Sequence, residues 1–310
     1  MVHFRVTLLL IFISQNAFSQ IKTDIFGEKI IFSKVDEIQY AIHPLNKDKK
    51  TIFLIEGSVP FSSYYNYNDT VYYTGPKEIM KLSTVFNLIV LGKPGIPILI
   101  DYEFLNKDYV YKDSTGKIPA EFLQNDNVAF YTKSYNEIIN KISYEYGLDD
   151  IYIFGHSQGS RIAANLALNN KNIKGVILSS VDPLGRIASV IDKDYSNFEK
   201  KDKTEYLQSI VQNGSNSIDS TFMSSTYYSW QSFSYPLIIT LSKIEIPILM
   251  IYGTQDTNCP NCYVYGYLDN YIPNLKSLSY DGYDHNFIDK KGIKHWDGVI
   301  KDIIYWIKEK

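Results

Sequence analysis

Short apolar runs alternate along this chain with longer stretches in which apolar positions return every three or four residues. Thr51–Ile55 (TIFLI), Phe86–Leu91 (FNLIVL), Ile151–Phe154, Ile173–Leu178, Pro247–Tyr252 (PILMIY) and Lys276–Tyr280 read as strands. Lys29–Phe32 and Ile38–Ile42 read as two early strands, paired antiparallel. Between the runs, Val128, Tyr131, Tyr135, Ile138, Ile139 and Ile142 predict a helix over Asn125–Tyr146, stopped by Gly147. A second helix follows Ser157, with Ile162, Leu166 and the alanines 163, 164 and 167 on a small packing face. A last one spans Trp296–Lys308 and turns Val299, Ile300, Ile303, Ile304 and Ile307 to one side. Strand–helix alternation of this kind predicts an α/β fold, a mostly parallel twisted sheet flanked by helices. From Pro183 to Ser242 the rhythm breaks into polar, fragmentary helix with an aromatic cluster, TYYSWQSFSY, which we read as a cap inserted over the carboxyl edge of the sheet.

The first residues change the boundaries. Arg5, the apolar stretch Val6–Ile13 and the small-x-small site Ala17-Phe18-Ser19 form a secretory signal, cleaved near Ser19. The stretch is shorter than the ~20 residues of a membrane span, so no stable membrane insertion of the mature chain is expected. The division is then a signal peptide at 1–19, the first part of an α/β core at 20–182, a cap at 183–242 and the rest of the core at 243–310, the product being exported to the periplasm or medium. A net charge of −3 with both signs interspersed offers no basic patch and excludes a nucleic-acid partner. Cys259 and Cys262, in TNCPNC, are the two cysteines. In an oxidising compartment a disulfide is their natural state, although the spacing also allows a thiol–disulfide motif. Structural zinc wants four ligands, and no second Cys or His pair is spaced to supply them.

Within this frame one stretch carries chemistry. IYIFGHSQGS, Ile151–Ser160, runs a buried strand into Gly-x-Ser-x-Gly and then a small-residue helix, the setting in which the serine is a nucleophile on a strained turn. Ser157 needs a base, and the base an orienting acid. His285, in YDGYDHNF after the last strand, is placed to be the base. His3 leaves with the signal, His43 comes too early, His156 should point away from its neighbour, and His295 belongs to the surface of the last helix. Asp256, after PILMIY, is favoured as the acid over Asp182 in SSVDP, one strand earlier; Asp284 suits a turn. The backbone N–H groups of Gln158 and of Ser58, beside Gly57, are the oxyanion donors. The aromatic stretches VPFSSYYNYNDTVYY and TYYSWQSFSY either line an acyl pocket or pack cap on core.

EGS, GHSQG, YGTQD and DHN, in this order along the whole mature chain, resemble the α/β-hydrolase superfamily, and LIVLGKPG resembles a strand-and-turn of its poorly characterised exported or membrane-associated members. Glu56-Gly57 departs from the His-Gly that many members carry there. The resemblance implies acyl transfer from a small-molecule substrate through a serine ester, with no cofactor and no metal. Ester hydrolysis is the first expectation. Alternatives are a peptidase releasing short N-terminal pieces, with Glu56 or a cap carboxylate holding the substrate amine, and a binding protein on the same scaffold.

Overall fold

The computed structural model describes residues 19–191, 207–208, 210, 212, 221–222 and 225–310. The signal-peptide expectation therefore lies outside the described residues apart from Ser19, as does much of the middle of the expected cap. Among the described residues no helix is long and apolar enough to cross a membrane.

A twelve-stranded sheet organises the molecule, in the order β14-β13-β10-β9-β4-β7-β3-β2-β1-β6-β5-β8. Its centre is parallel: β4 (Thr51–Ile55), β7 (Asn87–Leu91), β9 (Ile151–His156), β10 (Ile173–Ser179), β13 (Ile248–Gly253) and β14 (Leu275–Tyr280). β1 (Gln20–Asp24), β2 (Lys29–Val35) and β3 (Ile38–Ile42) continue it antiparallel. β4, β7 and β13 are buried at every position because both of their faces are covered, whereas β14, at the sheet edge, carries Lys276, Ser277 and Ser279 and is partly exposed. Successive side chains point to opposite faces, so Phe53, Ile153 and Met250 join the core under helices α3 (Val128–Tyr146) and α4 (Gln158–Asn169). Ile52, Phe154 and Leu249 join the core under the last helix, Trp296–Glu309, and the short α1 (Leu82–Val85).

Two expectations are revised. The helix expected over Asn125–Tyr146 forms as α3 over Val128–Tyr146 and starts three residues later: Asn125 ends a separate α2 (Ala120–Asn125), and Asn127 caps α3 by accepting from the Phe130 amide at 2.9 Å. Over Tyr64–Tyr73 the tyrosine-rich stretch belongs to the sheet. It is a hairpin, β5 (Tyr64–Tyr67) and β6 (Thr70–Tyr73), at the sheet's far edge, next to the short β8 (Leu99–Asp101). Asn68 and Asp69, with φ of 50° and 60°, make its two-residue turn. The second aromatic stretch does pack cap on core. In the helix Tyr227–Ser232 and just beyond it, Trp230 and Phe233 are buried, and the Phe233 ring lies 6.5 Å from that of Tyr131 on α3. A small antiparallel pair, β11 (Thr221–Phe222) and β12 (Ser225–Thr226), completes what is described of the insertion.

Candidate active site

β4, β9 and β13 run parallel, so the residues that follow them emerge on one rim of the sheet. At the end of β9, Ser157 holds φ 53° and ψ −124°, a conformation that L-residues rarely adopt. Its amide donates to the Ser179 carbonyl at 2.8 Å, and its own carbonyl accepts from Ser160 as α4 begins. A Cβ on Gly155 would lie 2.5 Å from the Gly159 oxygen, and one on Gly159 would lie 2.4 Å from that of Ile55. Only glycine fits at either place. The turn thus presents Ser157 at the positive end of a helix. The loop after β4 lies against it, since a Cβ on Gly57 would sit 3.2 Å from the Ser157 Cβ. Ser58 is the next residue along that loop, half-buried. Gln158 opens α4, and a first-turn N–H has no acceptor within its own helix.

At the end of β13 the buried carboxylate of Asp256 accepts from the amides of Asn258 (2.8 Å) and Cys259 (3.1 Å) through Oδ1. Its Oδ2 meets Nδ1 of His285 at 2.8 Å. A carboxylate only accepts, so Nδ1 carries the proton and Nε2 is left with its lone pair. The His285 loop is braced from below. Asp284 Oδ1 accepts from the amides of Asn286 and Ile288, both at 2.9 Å, and the Tyr283 and His295 rings stack at 4.2 Å. His295 is therefore half-buried and engaged with Asp289 at 3.0 Å, where the sequence places it on the surface. The rival acid, Asp182, is occupied elsewhere: its Oδ1 accepts from the Leu184 amide and its Oδ2 from the Asn261 side chain at 3.0 Å.

His156 does not stand clear of the site. Its ring lies 5.1 Å from that of His285 and 5.8 Å from that of Trp296, while its Nδ1 meets Ser179 Oγ at 3.1 Å. Elbow and histidine loop therefore pack at the same rim, although the Ser157 hydroxyl makes no hydrogen bond to His285 in this structure. Burial, and then the neighbouring His285, push His156 down from 6.5 to about 3, so it is a neutral ring beneath the loop. His43, bonded to the Tyr64 hydroxyl at 2.8 Å, is pushed down to about 4, again by burial. Unfolded, both protonate near 6.5; folded, neither does until pH 3–4. The unfolded chain then binds the extra protons below pH 6.5, and stability falls as the pH drops from there. Each of these two histidines, His43 buried and His156 half-buried, contributes at most roughly 1.4 kcal/mol per pH unit in that window. Urea midpoints measured from pH 7 to pH 4.5 are expected to decline, less steeply in His43→Gln than in the wild type.

Cys259 and Cys262 are joined in a disulfide, and both are buried. Thiol exchange has no access to them, and although Asp256 and both sulfurs lie within 4.8 Å of one another, a metal needs thiolates that bonded sulfurs do not offer. The bridge instead closes the turn whose amides hold Asp256. Replacing both cysteines by serine is expected to lower kcat by a few-fold to about 10²-fold, because small displacements of catalytic groups are costly. KM should be little changed. Steady-state kinetics at matched folded fraction check this.

Sequence reasoning missed the polar ring around Gln158. Its Nε2 donates to the buried Asp126 Oδ1 at 2.8 Å, and Asp126 Oδ2 accepts from Ser229 Oγ at 2.6 Å, on the cap helix. Burial raises the Asp126 carboxyl, against the pull of the Arg186 and Lys93 cations. On the other side Glu56 Oε2 accepts from Ser63 Oγ at 2.6 Å and lies 3.7 Å from Lys93 Nζ. Asp126-Asn127, interrupting a periodic helix, was the one signal available for the first half of this ring.

The order of strands, the elbow at the end of β9 and the insertion beyond β10 define the α/β-hydrolase fold. A family model described as the alpha/beta hydrolase fold matches residues 111–203. Among solved structures, the chain is similar to an acylaminoacyl peptidase of Pyrococcus horikoshii at 12% identity and a TM-score of 0.57, over 94% of this chain and 41% of that one. It is similar to Est1E of Butyrivibrio proteoclasticus at 11% identity and a TM-score of 0.55, over 90% and 98%. It is also similar to the esterase RhEst1 of Rhodococcus sp. ECU1013 at 12% and 0.50, over 94% and 98%. Among curated proteins none matches in sequence.

Proposed function

We propose that the protein is an exported serine hydrolase that cleaves an ester-type acyl substrate. The observation that carries this reading is the 2.8 Å bond from His285 to a buried carboxylate, at the rim where a strained serine opens a helix. In the reaction, Ser157 Oγ adds to the substrate carbonyl while His285 Nε2 takes its proton. Asp256 holds the imidazole in the tautomer that can do so and steadies the imidazolium that forms. The carbonyl oxygen becomes an oxyanion between the N–H groups of Ser58 and Gln158. Collapse breaks the ester bond, and the leaving oxygen receives the proton from His285. Water then repeats the sequence on the acyl-enzyme, releasing the acid and free Ser157. Approach of the Ser157 hydroxyl to Nε2 belongs to the substrate complex, since catalytic hydrogen bonds are commonly long before substrate arrives.

The peptidase reading needs a carboxylate free to hold a substrate amine. Glu56 is a poor choice, because Lys93 already faces it, and Asp126 is held by Gln158 and Ser229. The core at 20–182 and 243–310, the cap at 183–242 and removal of residues 1–19 on export are parts of the same proposal. Incubating the purified protein with a fluorophosphonate probe and with short nitrophenyl esters tests it. Labelling confined to Ser157 together with ester turnover supports the hydrolase; a folded protein that takes no label and turns over no ester is a binding protein instead.

A further inference from the structure

A narrow crevice, too tight in this structure to hold a water molecule, lies beside the elbow between Gly57 and Gln158, with Glu56, Lys93 and the Tyr131 hydroxyl among its polar walls and Leu91 and Ile162 among its apolar ones. The polar side chains are deeply buried: Lys93 is 5% exposed, Glu56 7% and Gln158 8%. Each still has an unused atom. Lys93 Nζ has the Glu56 carboxylate at 3.7 Å and the Phe61 ring at 4.4 Å but makes no hydrogen bond. Glu56 Oε1 and Gln158 Oε1 accept none, and the Tyr131 hydroxyl makes no hydrogen bond either. Buried polar atoms are rarely left this way, and four of them around one crevice next to a nucleophile mark a place built for a partner.

The chemistry of the gap narrows what that partner is. It offers two donors, the ammonium and the Tyr131 hydroxyl, and two acceptors, so the missing group both accepts and donates. Its charge is also constrained. Glu56 and Asp126 face Lys93, and Arg186 adds a second cation beside Asp126, so carboxylates and cations already balance. An extra charge brought into this space would be buried without compensation. A hydroxyl satisfies every condition, with one O–H to donate and lone pairs to accept. A carboxamide also does in principle, but the crevice is tight and Phe61, half-buried over Lys93, already has to yield for an atom to reach the ammonium.

We propose that the space between Lys93, Glu56 and Gln158 is a substrate subsite for a hydroxyl on the acyl chain, so that the enzyme acts on hydroxyacyl esters in preference to plain alkanoyl ones. This rests on the hydrolase reading and specifies its substrate class. Lys93 donates to the hydroxyl oxygen, and the hydroxyl proton goes to Glu56 Oε1 or Gln158 Oε1. Carbon atoms leading to it lie along Leu91 and Ile162.

The test compares kcat/KM for nitrophenyl butanoate with its 2-hydroxy and 3-hydroxy analogues, in the wild type and in Lys93→Met and Glu56→Gln. Ratios taken within one preparation do not depend on how much of it is folded. A hydrogen bond to a charged group predicts a preference of about 10- to 100-fold for one hydroxy ester in the wild type, falling toward one in Lys93→Met and reduced in Glu56→Gln. A wild-type ratio near one overturns the subsite, and so does a preference that both variants retain; the wild-type ratio decides even if neither variant folds. When the ratio is one but Ser157 is labelled and butanoate is hydrolysed, the subsite fails and the hydrolase stands. When folded wild type takes no label, both fail together.

Discussion

Ser157→Ala is expected to remove ester turnover and fluorophosphonate labelling together, with a loss in kcat of at least roughly 10⁴-fold. The substitution deletes one oxygen and leaves the backbone conformation, the glycine contacts and the amides of Ser58 and Gln158 as they are. Because the Ser157 hydroxyl makes no hydrogen bond to His285 in the structure, its removal should leave the thermal midpoint nearly unchanged. A large loss of activity at constant stability is the signature of a group that acts on the substrate. Retention of more than a few per cent of turnover by a homogeneous Ser157→Ala preparation would falsify the role given to this residue.

Asp256→Asn carries the second largest effect, about 10⁴-fold in kcat. The carboxylate accepts from His285 Nδ1 and from two amides. An asparagine can keep the amide contacts through its carbonyl, but it then turns an NH₂ toward His285. The imidazole must present a lone pair to that donor, and its proton moves to Nε2, where it blocks attack by the serine. Asp182→Asn tests the alternative. That carboxylate binds Asn261 and the Leu184 amide rather than a histidine, so its loss should lower the melting temperature more than kcat. The opposite pattern, chemistry lost at position 182 and kept at 256, would reverse the assignment.

How much of this is visible in the chain depends on how local the signal is. Strands β4, β7, β9, β10 and β13 read directly from apolar runs because both faces of an interior strand are largely buried, while β14, at the edge, mixes Lys276, Ser277 and Ser279 with its apolar positions. Ser157 was legible because its glycines and the helix behind it are neighbours in sequence. The choice between Asp256 and Asp182 rested on chain order alone, and it takes the 2.8 Å contact to separate them. The edge hairpin Tyr64–Tyr73 was missed although Asn68-Asp69 between two tyrosine runs is a turn signal; aromatic residues there drew attention to packing instead. Of the ring of Glu56, Lys93, Asp126 and Gln158, only Asp126 left a trace in the sequence, where Asp126-Asn127 interrupts a periodic helix. These residues come from three separate loops and a helix start, and no spacing rule links them.

The backbone at Ser157 also has a meaning for the evolution and engineering of this molecule. A non-glycine residue held at φ 53°, ψ −124° costs roughly 1–3 kcal/mol. Ser157→Gly should therefore raise the unfolding temperature while giving an inert protein. A stabilised scaffold obtained by random screening would be drawn toward that same change, so any selection for heat resistance must be tied to turnover or it will discard the proposed nucleophile first.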